Sequence, residues 1–155
     1  MLGKFLFFLL VSMLPLIELR GAIPIAAGFG LPEIPALLIA MLGNMLPMPL
    51  VFIFAQDFLR WGSERKHLKK FCKWLTRKGH RAGKKLQAKN SASIYLALLL
   101  FVGVPFPGTG AWTGTLAASF LNLDFKKTMV ATTCGTLLAG LIMLGVSFGL
   151  FELIF

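Results

Sequence analysis

Residues 104–114 read VPFPGTGAWTG, and this stretch decides the fold because it interrupts a long apolar run. Its prolines have no backbone N–H, and its glycines allow backbone conformations that are closed to other residues. A helix that enters the stretch must therefore stop there. Yet no charged residue occurs between residues 90 and 123, and broken backbone at membrane depth is tolerated only where it is buried in protein or lines a cavity. The stretch is therefore a candidate site rather than a surface loop.

The composition is that of an integral membrane protein. Of the 155 residues, 57% are hydrophobic and only 14% are charged, which does not suit a soluble domain. The net charge of +10 comes mostly from residues 60–89, which hold twelve of the sixteen Lys and Arg residues. Cys72 and Cys134 fit neither a disulfide framework nor a metal spacing. We expect an all-α protein of the inner cell membrane, with no cofactor and no metal site.

The two halves of the chain share one order: a short apolar arm, a polar Pro/Gly break, a second short arm and a full-length apolar span. This order predicts an internal repeat. The first repeat covers residues 1–56, with a broken hairpin at about 5–31 around a break at 18–24, and a transmembrane helix at about 34–56 kinked by Pro47 and Pro49. The second covers residues 91–155, with a broken hairpin at about 91–123 and a transmembrane helix at about 128–152. Residues 57–90 join them.

Two topologies fit this order. If each broken pair crosses the membrane, the chain has four spans; if each is a re-entrant hairpin, it has two spans and the repeats are inverted. If the basic segment is cytoplasmic, the hairpin topology places Lys126 and Lys127 inside and Lys4 outside. The four-span topology instead places Lys126 and Lys127 on the outer side of the membrane. Because cytoplasmic loops are rich in Lys and Arg, we favour re-entrant hairpins.

The basic segment 57–90 is predicted to be a cytoplasmic amphipathic helix, broken near Gly79. It would lie on an anionic leaflet. The alternative is that these charges only mark the cytoplasmic side, because cytoplasmic loops are rich in Lys and Arg whatever they contact. Nucleic-acid binding is not expected, because no base-reading module accompanies the charge. The residues predicted to meet the membrane surface are Trp61, Arg65, Lys66, Lys69, Lys70, Lys73, Arg77 and Lys78.

Glu18 and Arg20 are the two ionisable residues at hairpin depth in either apolar half. A charge buried there is costly unless it is paired or hydrated, so such residues are functional candidates. In one interpretation Arg20 anchors an anionic head group and Glu18 is a proton-titrating coupling residue. In the other, the two pair with each other or cap the exposed backbone of the arms.

The second break offers backbone and hydroxyl groups instead of charge. Gly108, Thr109 and Gly110 precede an arm whose free N–H groups would suit an anion, and Thr113 adds a second hydroxyl. The alternative is that the prolines and glycines only make a turn. The glycine spacing misses the dinucleotide-binding pattern, and no nucleophile and base or metal-ligand set lies in the apolar halves, so we do not expect an enzyme.

The motifs ELRGAIP at 18–24 and PFPGTGAWTG at 105–114 resemble the family of putative small multidrug export proteins. That family is distantly similar to the DedA membrane proteins, which share paired re-entrant hairpins and are implicated in moving lipids across bilayers. The chain departs from the DedA pattern in having no arginine in its second hairpin. By this resemblance the functional positions are Glu18, Arg20, Gly21, Pro24, Pro105, Pro107, Gly108, Thr109 and Gly110.

Three functions remain open from the sequence. The first is a transporter or flippase for an anionic lipid, such as a polyprenyl phosphate or a phospholipid, with proton coupling through Glu18. The second is an exporter of small hydrophobic cations, and the third is a membrane scaffold without transport. So few spans would need a homodimer or larger assembly to enclose a pathway, and the small residues of 131–149 could form its interface.

Overall fold

The computed structural model describes residues 2–15, 17–65, 68–106 and 108–154, and in these ranges the chain forms seven α-helices and no strand. The all-α expectation is therefore confirmed. In chain order the helices are α1 (Leu2–Met13), α2 (Glu18–Gly28), α3 (Glu33–Met45), α4 (Met48–Glu64), α5 (Lys69–Gly103), α6 (Ala111–Phe120) and α7 (Phe125–Ile154).

Two segments are long and apolar enough to cross a membrane. They are the pair α3–α4, over Glu33–Glu64, and the part of α7 over Phe125–Gly149. A turn at residues 46–47 separates α3 from α4; it lies where the sequence predicts a kink at Pro47, and Pro49 lies in the first turn of α4. Both segments expose large apolar side chains, as a lipid-facing surface requires; examples are Leu38, Leu42, Phe54, Val130 and Leu141.

The buried apolar residues form two clusters at successive levels along α7. One cluster contains residues of α1, α2 and α3, and Met143, Leu144 and Phe148 of α7 pack against it. The other contains residues of α4, α5 and α6 together with Ala131 near the start of α7. Helix α2, with α1 packed against it, therefore lies near one end of α7, and the pair α5–α6 packs near the other.

The break between α5 and α6 lies where the sequence predicts it, and the break between α1 and α2 does not. Helix α5 ends at Gly103 and α6 begins at Ala111, but the first interruption lies between the end of α1 at Met13 and the start of α2 at Glu18. Gly21 and Pro24 therefore lie inside a helix. A proline there removes one backbone hydrogen bond, yet α2 continues past it because its flanking residues Ile23 and Ala26 are fully buried in the first cluster.

Helix α5 joins the basic segment to the apolar arm before the second break without interruption. The break expected near Gly79 is wrong: α5 runs from Lys69 to Gly103. A Cβ atom on Gly79 would lie 2.0 Å from the carbonyl oxygen of Phe120, and one on Gly83 would lie 2.0 Å from that of Leu121. These glycines therefore serve close packing of α5 on the end of α6. The helices also cross both expected borders of the basic segment, since residue 57 lies in α4 and residue 90 in α5.

The turn between α6 and α7 lies beside the basic part of the chain. Besides the contacts of α5 with Phe120 and Leu121, the side-chain amide of Gln56 donates to Asn122 Oδ1 at 3.4 Å. The Nζ atom of Lys127 lies 5.8 Å from the ring centre of Tyr95 in α5. The lysines that follow this turn are thus at the same end of the molecule as the basic segment.

The small residues of α7 are divided between two environments. Ala131, Gly135 and Ala139 are buried within the chain, and a Cβ atom on Gly135 would lie 2.6 Å from the carbonyl oxygen of Leu99 in α5. Gly145 and Gly149 are exposed, and a Cβ atom at either would meet nothing within 4 Å. The first three positions of the predicted dimer face are therefore taken up by packing inside one chain.

Candidate functional site

The two breaks meet in the interior, and Glu18 is the acidic residue at their junction. It is the first residue of α2 and has a φ of 51°, in the left-handed region that residues other than glycine adopt rarely. Its side chain is only 8% exposed. The backbone N–H of Trp112 donates to Glu18 Oε1 at 3.3 Å, and the N–H of Ala111 also lies at the carboxylate.

Glu18 thereby caps a helix to which it does not belong. Ala111 and Trp112 are the first two residues of α6, whose own N-cap residue, Gly110, has no side chain to offer. The first N–H groups of any helix lack partners within it, and the positive end of the helix dipole favours a negative charge there. A carboxylate from α2 thus satisfies the N-terminal end of α6.

Gly110 makes room for that carboxylate. A Cβ atom on Gly110 would lie 1.7 Å from Oε2 of Glu18 and 2.2 Å from its carboxyl carbon. Any other residue would have to displace the Glu18 side chain or move the start of α6. The glycine is therefore required by close approach of a side chain, which the sequence alone does not show.

Arg20 binds the other end of the second break. Its Nη2 atom donates to the carbonyl oxygens of Val102 and Thr109, each at 2.9 Å. Its Nη1 atom donates to Thr109 Oγ1 at 3.1 Å and to the carbonyl oxygen of Phe106. Val102 is in the last turn of α5, where helix carbonyls lack partners within the helix and the dipole favours a positive charge. Arg20 thus holds the chain from the end of α5 to the turn before α6.

The two charged residues of the first motif therefore complement the two broken helix ends of the second. The carboxylate lies at the N-terminus of α6 and the guanidinium at the C-terminal end of α5. These are capping contacts, as in the second alternative raised by the sequence, but the helices capped are α5 and α6 and not the two arms around the first break. Arg20 uses its four terminal N–H groups in these bonds, so both charges are partnered within the chain.

An open cleft of about 530 Å³ lies between the two breaks. Glu18 and Arg20 are its ionisable lining residues among those that the structure describes. Most of the remaining lining is apolar, and both hairpins and α7 contribute to it. The cleft is lined by Pro15, Ile17, Glu18, Arg20, Gly21, Ile25, Pro105, Phe106, Gly108, Gly110, Thr113 and Met143.

Most residues predicted for the site are brought together at this cleft. Thr109 is half-buried behind it and holds Arg20, and the Thr113 hydroxyl donates to the carbonyl oxygen of Gly110 at 3.1 Å. Pro24 is in the second turn of α2 and does not line the cleft. Pro107 lies outside the described residues. In the described ranges, no group of three or more His, Cys, Asp or Glu residues could hold a metal ion.

Several groups that build the site are not marked in the sequence. The acceptors of Arg20 are backbone carbonyls, and the donors to Glu18 are backbone N–H groups; the Pro/Gly break signalled that unpaired groups would exist there but not which residue would meet them. Met143 reaches the cleft from α7, and nothing in its sequence position marks it. Apolar wall residues such as Ile17 and Ile25 were equally unmarked, because they look like any others in a hydrophobic run.

The residues predicted for the membrane surface lie at the basic end, far along the chain from the cleft. Trp61 is exposed and the Arg65 guanidinium lies 4.7 Å from its ring centre; Lys78 Nζ lies 4.7 Å from that of Trp74. Lys69 and Lys73 line a separate cavity. Lys70 and Arg77 are exposed on α5, and Lys66 lies outside the described residues.

Comparison with known proteins yields one family. A family model described as "Putative small multi-drug export protein" matches residues 18–142, a range that begins at the first residue of α2 and includes both motifs and the break between α5 and α6. Neither the curated proteins nor the solved structures give a match.

Proposed function

The chain belongs to the family of putative small multi-drug export proteins, and from this premise we propose that it carries an anionic amphipathic lipid across the membrane through the cleft between its two breaks. The family description gives a membrane protein with a role in transport. The finer assignment, to a lipid such as a polyprenyl phosphate or a phospholipid, rests on the chemistry of the cleft.

The observation that carries this proposal is the Glu18 carboxylate on the first N–H groups of α6. A helix N-terminus is a ready-made anion site, and here an internal anion occupies it. A phosphate or other anionic group in the cleft would compete with Glu18 for the N–H groups of Ala111 and Trp112. Protonation of Glu18 removes its charge and so favours the substrate anion, which couples substrate binding to proton uptake.

The shape and lining of the cleft suit the apolar part of such a substrate. Its volume of about 530 Å³ falls within the range of small-molecule sites, roughly 300–1,000 Å³. Ile25, Phe106 and Met143 offer apolar surface beside the charged pair. Arg20 is the other charged group facing Glu18, and it stays engaged with the carbonyls of the second break while Glu18 changes partners.

Helix lengths support re-entrant hairpins. Helices α1, α2 and α6 have 12, 11 and 10 residues, which is about 15–18 Å of helix, or half of a hydrocarbon core of about 30 Å. Because the two hairpins pack at opposite ends of α7 and their breaks meet, we propose that they enter from opposite faces as inverted repeats. The basic segment would then be cytoplasmic in the inner membrane, together with Lys126 and Lys127.

A second candidate function is export of hydrophobic cations, which the family description favours. Glu18 would then be the carboxylate that holds the cation, and it would have to leave the N-terminus of α6 to do so. The cation would also face the freed positive end of that helix. The cleft chemistry therefore favours an anion, and the two substrates can be compared directly in one assay.

The test uses purified protein in phosphatidylcholine vesicles that contain a trace of fluorescent phosphatidic acid. Dithionite quenching measures how fast the probe changes leaflets, and ethidium uptake tests the cation alternative. We expect the wild type to move phosphatidic acid faster at acidic than at neutral pH. The Glu18→Gln variant should move it at the same rate at acidic and at neutral pH. Glu33→Gln, which removes an exposed carboxylate at the start of α3, should behave like the wild type.

Two outcomes would overturn the proposal. If Glu18→Gln keeps the full pH dependence, Glu18 is not the coupling residue. If the wild type takes up ethidium but leaves phosphatidic acid in place, the cation function is correct. An Arg20 variant is less informative, because Arg20 holds the two hairpins together and its loss would disturb the fold whatever the substrate.

We further propose that the pathway is completed by a second copy of the chain, and that the protein is a transporter and not an enzyme. A large part of α7 is already used inside one chain, so the dimer surface would involve its exposed C-terminal half around Gly145 and Gly149. Cross-linking of Gly145→Cys in membranes would test this contact.

A further inference from the structure

A second cavity, of about 890 Å³, lies at the basic end of the molecule. Its walls come from the C-terminal half of α4, the N-terminal half of α5 and the turn after α6, and it shares no lining residue with the cleft between the breaks. The sequence predicts only a charged surface in this region, and no role has so far been assigned to the cavity.

The lining of this cavity carries an excess of positive charge. Arg60 projects from α4, and Lys69 and Lys73 project from α5, one helical turn apart and so on one face. Glu64 is the acidic residue of the lining, and in the described ranges it forms no ion pair with these three cations. Three cations and one carboxylate leave a formal charge of +2, and His80 adds a further donor.

The cavity is built by fixed contacts rather than by mobile side chains alone. A Cβ atom on Gly62 of α4 would lie 2.5 Å from Cys72 Sγ of α5, and one on Gly79 would lie 2.0 Å from the carbonyl oxygen of Phe120. These close contacts hold α5 against α4 and against the end of α6. Ser119, on the third wall, donates to the carbonyl oxygen of Phe52 at 2.8 Å. The cationic side chains therefore start from a rigid frame.

Exposed aromatic residues beside the cavity indicate that this end meets the membrane interface. Trp61 is 48% exposed, Phe71 60% and Trp74 52%. Arg65 lies over Trp61 and Lys78 over Trp74. Aromatic rings and cations together are typical of the head-group level of a bilayer, where phosphate groups are the abundant anions.

From the cavity, its charge and its position we infer a binding site for a phosphate group, held by Arg60, Lys69 and Lys73. The phosphate comes from a lipid head group or from a soluble phosphate compound. Arg can hold a phosphate with two parallel hydrogen bonds and Lys contributes point charges. The site does not depend on transport through the central cleft, since no residue is shared between them.

Calorimetric titration of the purified full chain in detergent tests the site. The probes are dihexanoyl phosphatidic acid, inorganic phosphate and, as a neutral lipid, dihexanoyl phosphatidylcholine. The cavity variant Arg60→Gln/Lys69→Gln/Lys73→Gln is compared with Lys70→Gln/Arg77→Gln/Lys84→Gln, which removes the same charge from exposed positions outside the cavity. We expect the cavity variant to bind phosphatidic acid at least about tenfold more weakly and the control variant to bind like the wild type.

The probes also separate the two sources. Inorganic phosphate that binds as tightly as phosphatidic acid indicates a soluble ligand, and binding of phosphatidic acid alone indicates a lipid head group. Equal loss in both triple variants, or no binding of either anion by the wild type, overturns the inference. If the cavity variant fails to fold, Thr76→Glu keeps all three cations and adds a carboxylate to the lining; unchanged binding by that variant also overturns it.

Discussion

At the scale of single residues, the site is a set of charges that complete broken backbone. Glu18 and Arg20 are two positions apart, yet they serve opposite polarities: free N–H groups at the start of α6 and free carbonyls at the end of α5. Unsatisfied backbone groups in an apolar setting cost several kcal/mol each. Burying one carboxylate and one guanidinium is therefore offset by the backbone groups that they satisfy.

This arrangement makes a sharp prediction for Gly110. Gly110→Ala should push the Glu18 carboxylate from the N-terminus of α6 and lower the free energy of unfolding by at least about 1 kcal/mol, the usual value of a helix cap. Thermal unfolding in detergent, followed by tryptophan fluorescence, measures the change. In a Glu18→Ala background there is no carboxylate to displace, so Gly110→Ala should then cost much less. Equal costs in both backgrounds would mean that the contact does not exist in solution.

At the scale of helices, the sequence predicted breaks well where the chemistry is local. Pro105, Gly108 and Gly110 come together in one short stretch, and the chain does break there. The first break was misplaced because Pro24 breaks a helix only where packing does not compensate for the lost backbone hydrogen bond. Burial of α2 on both sides of Pro24 overrides the low helix preference of proline. The break expected at Gly79 was wrong for the same reason. Gly79 allows α5 to pack closely on Phe120, which is far from it in the sequence.

Because these glycines allow close packing, replacing one of them with alanine should have the opposite of its usual effect on stability. Gly→Ala inside a helix usually stabilises by about 1 kcal/mol. Gly83→Ala should instead destabilise by about 1–3 kcal/mol, as overpacking does, because its Cβ atom would lie 2.0 Å from the carbonyl oxygen of Leu121. Gly3→Ala is the control in α1, where nothing lies within 4 Å of the added Cβ atom, and it should not lower the melting temperature. A Gly83→Ala protein as stable as the control would refute the tight contact.

At the scale of the whole molecule, the all-α character and the two apolar spans could be predicted from the sequence, whereas the meeting of the two breaks could not. Residues near 18 and residues near 110 are joined only through contacts between helices, and no periodicity encodes such a pairing. The two apolar clusters lie at successive levels along α7, one with residues of α1 and α2 and the other with residues of α5 and α6. The charged groups of Glu18 and Arg20 therefore find their partners in α5 and α6, across the interior. The central cleft forms where the two clusters meet.

The same arrangement predicts which side of the membrane each loop faces. Lys126 follows the turn that contacts α5 at Gly79 and Gly83, so it should face the same compartment as Lys85 in the basic segment. Glu33, at the start of α3, should face the other. In a background with both native cysteines replaced by alanine, single cysteines at these three exposed positions can be labelled in inverted and in right-side-out vesicles with a maleimide that does not cross membranes. Re-entrant hairpins require Lys126→Cys to label with Lys85→Cys; labelling of Lys126→Cys with Glu33→Cys would instead require each hairpin to cross the bilayer, and would exclude a site built where two hairpin tips meet from opposite faces.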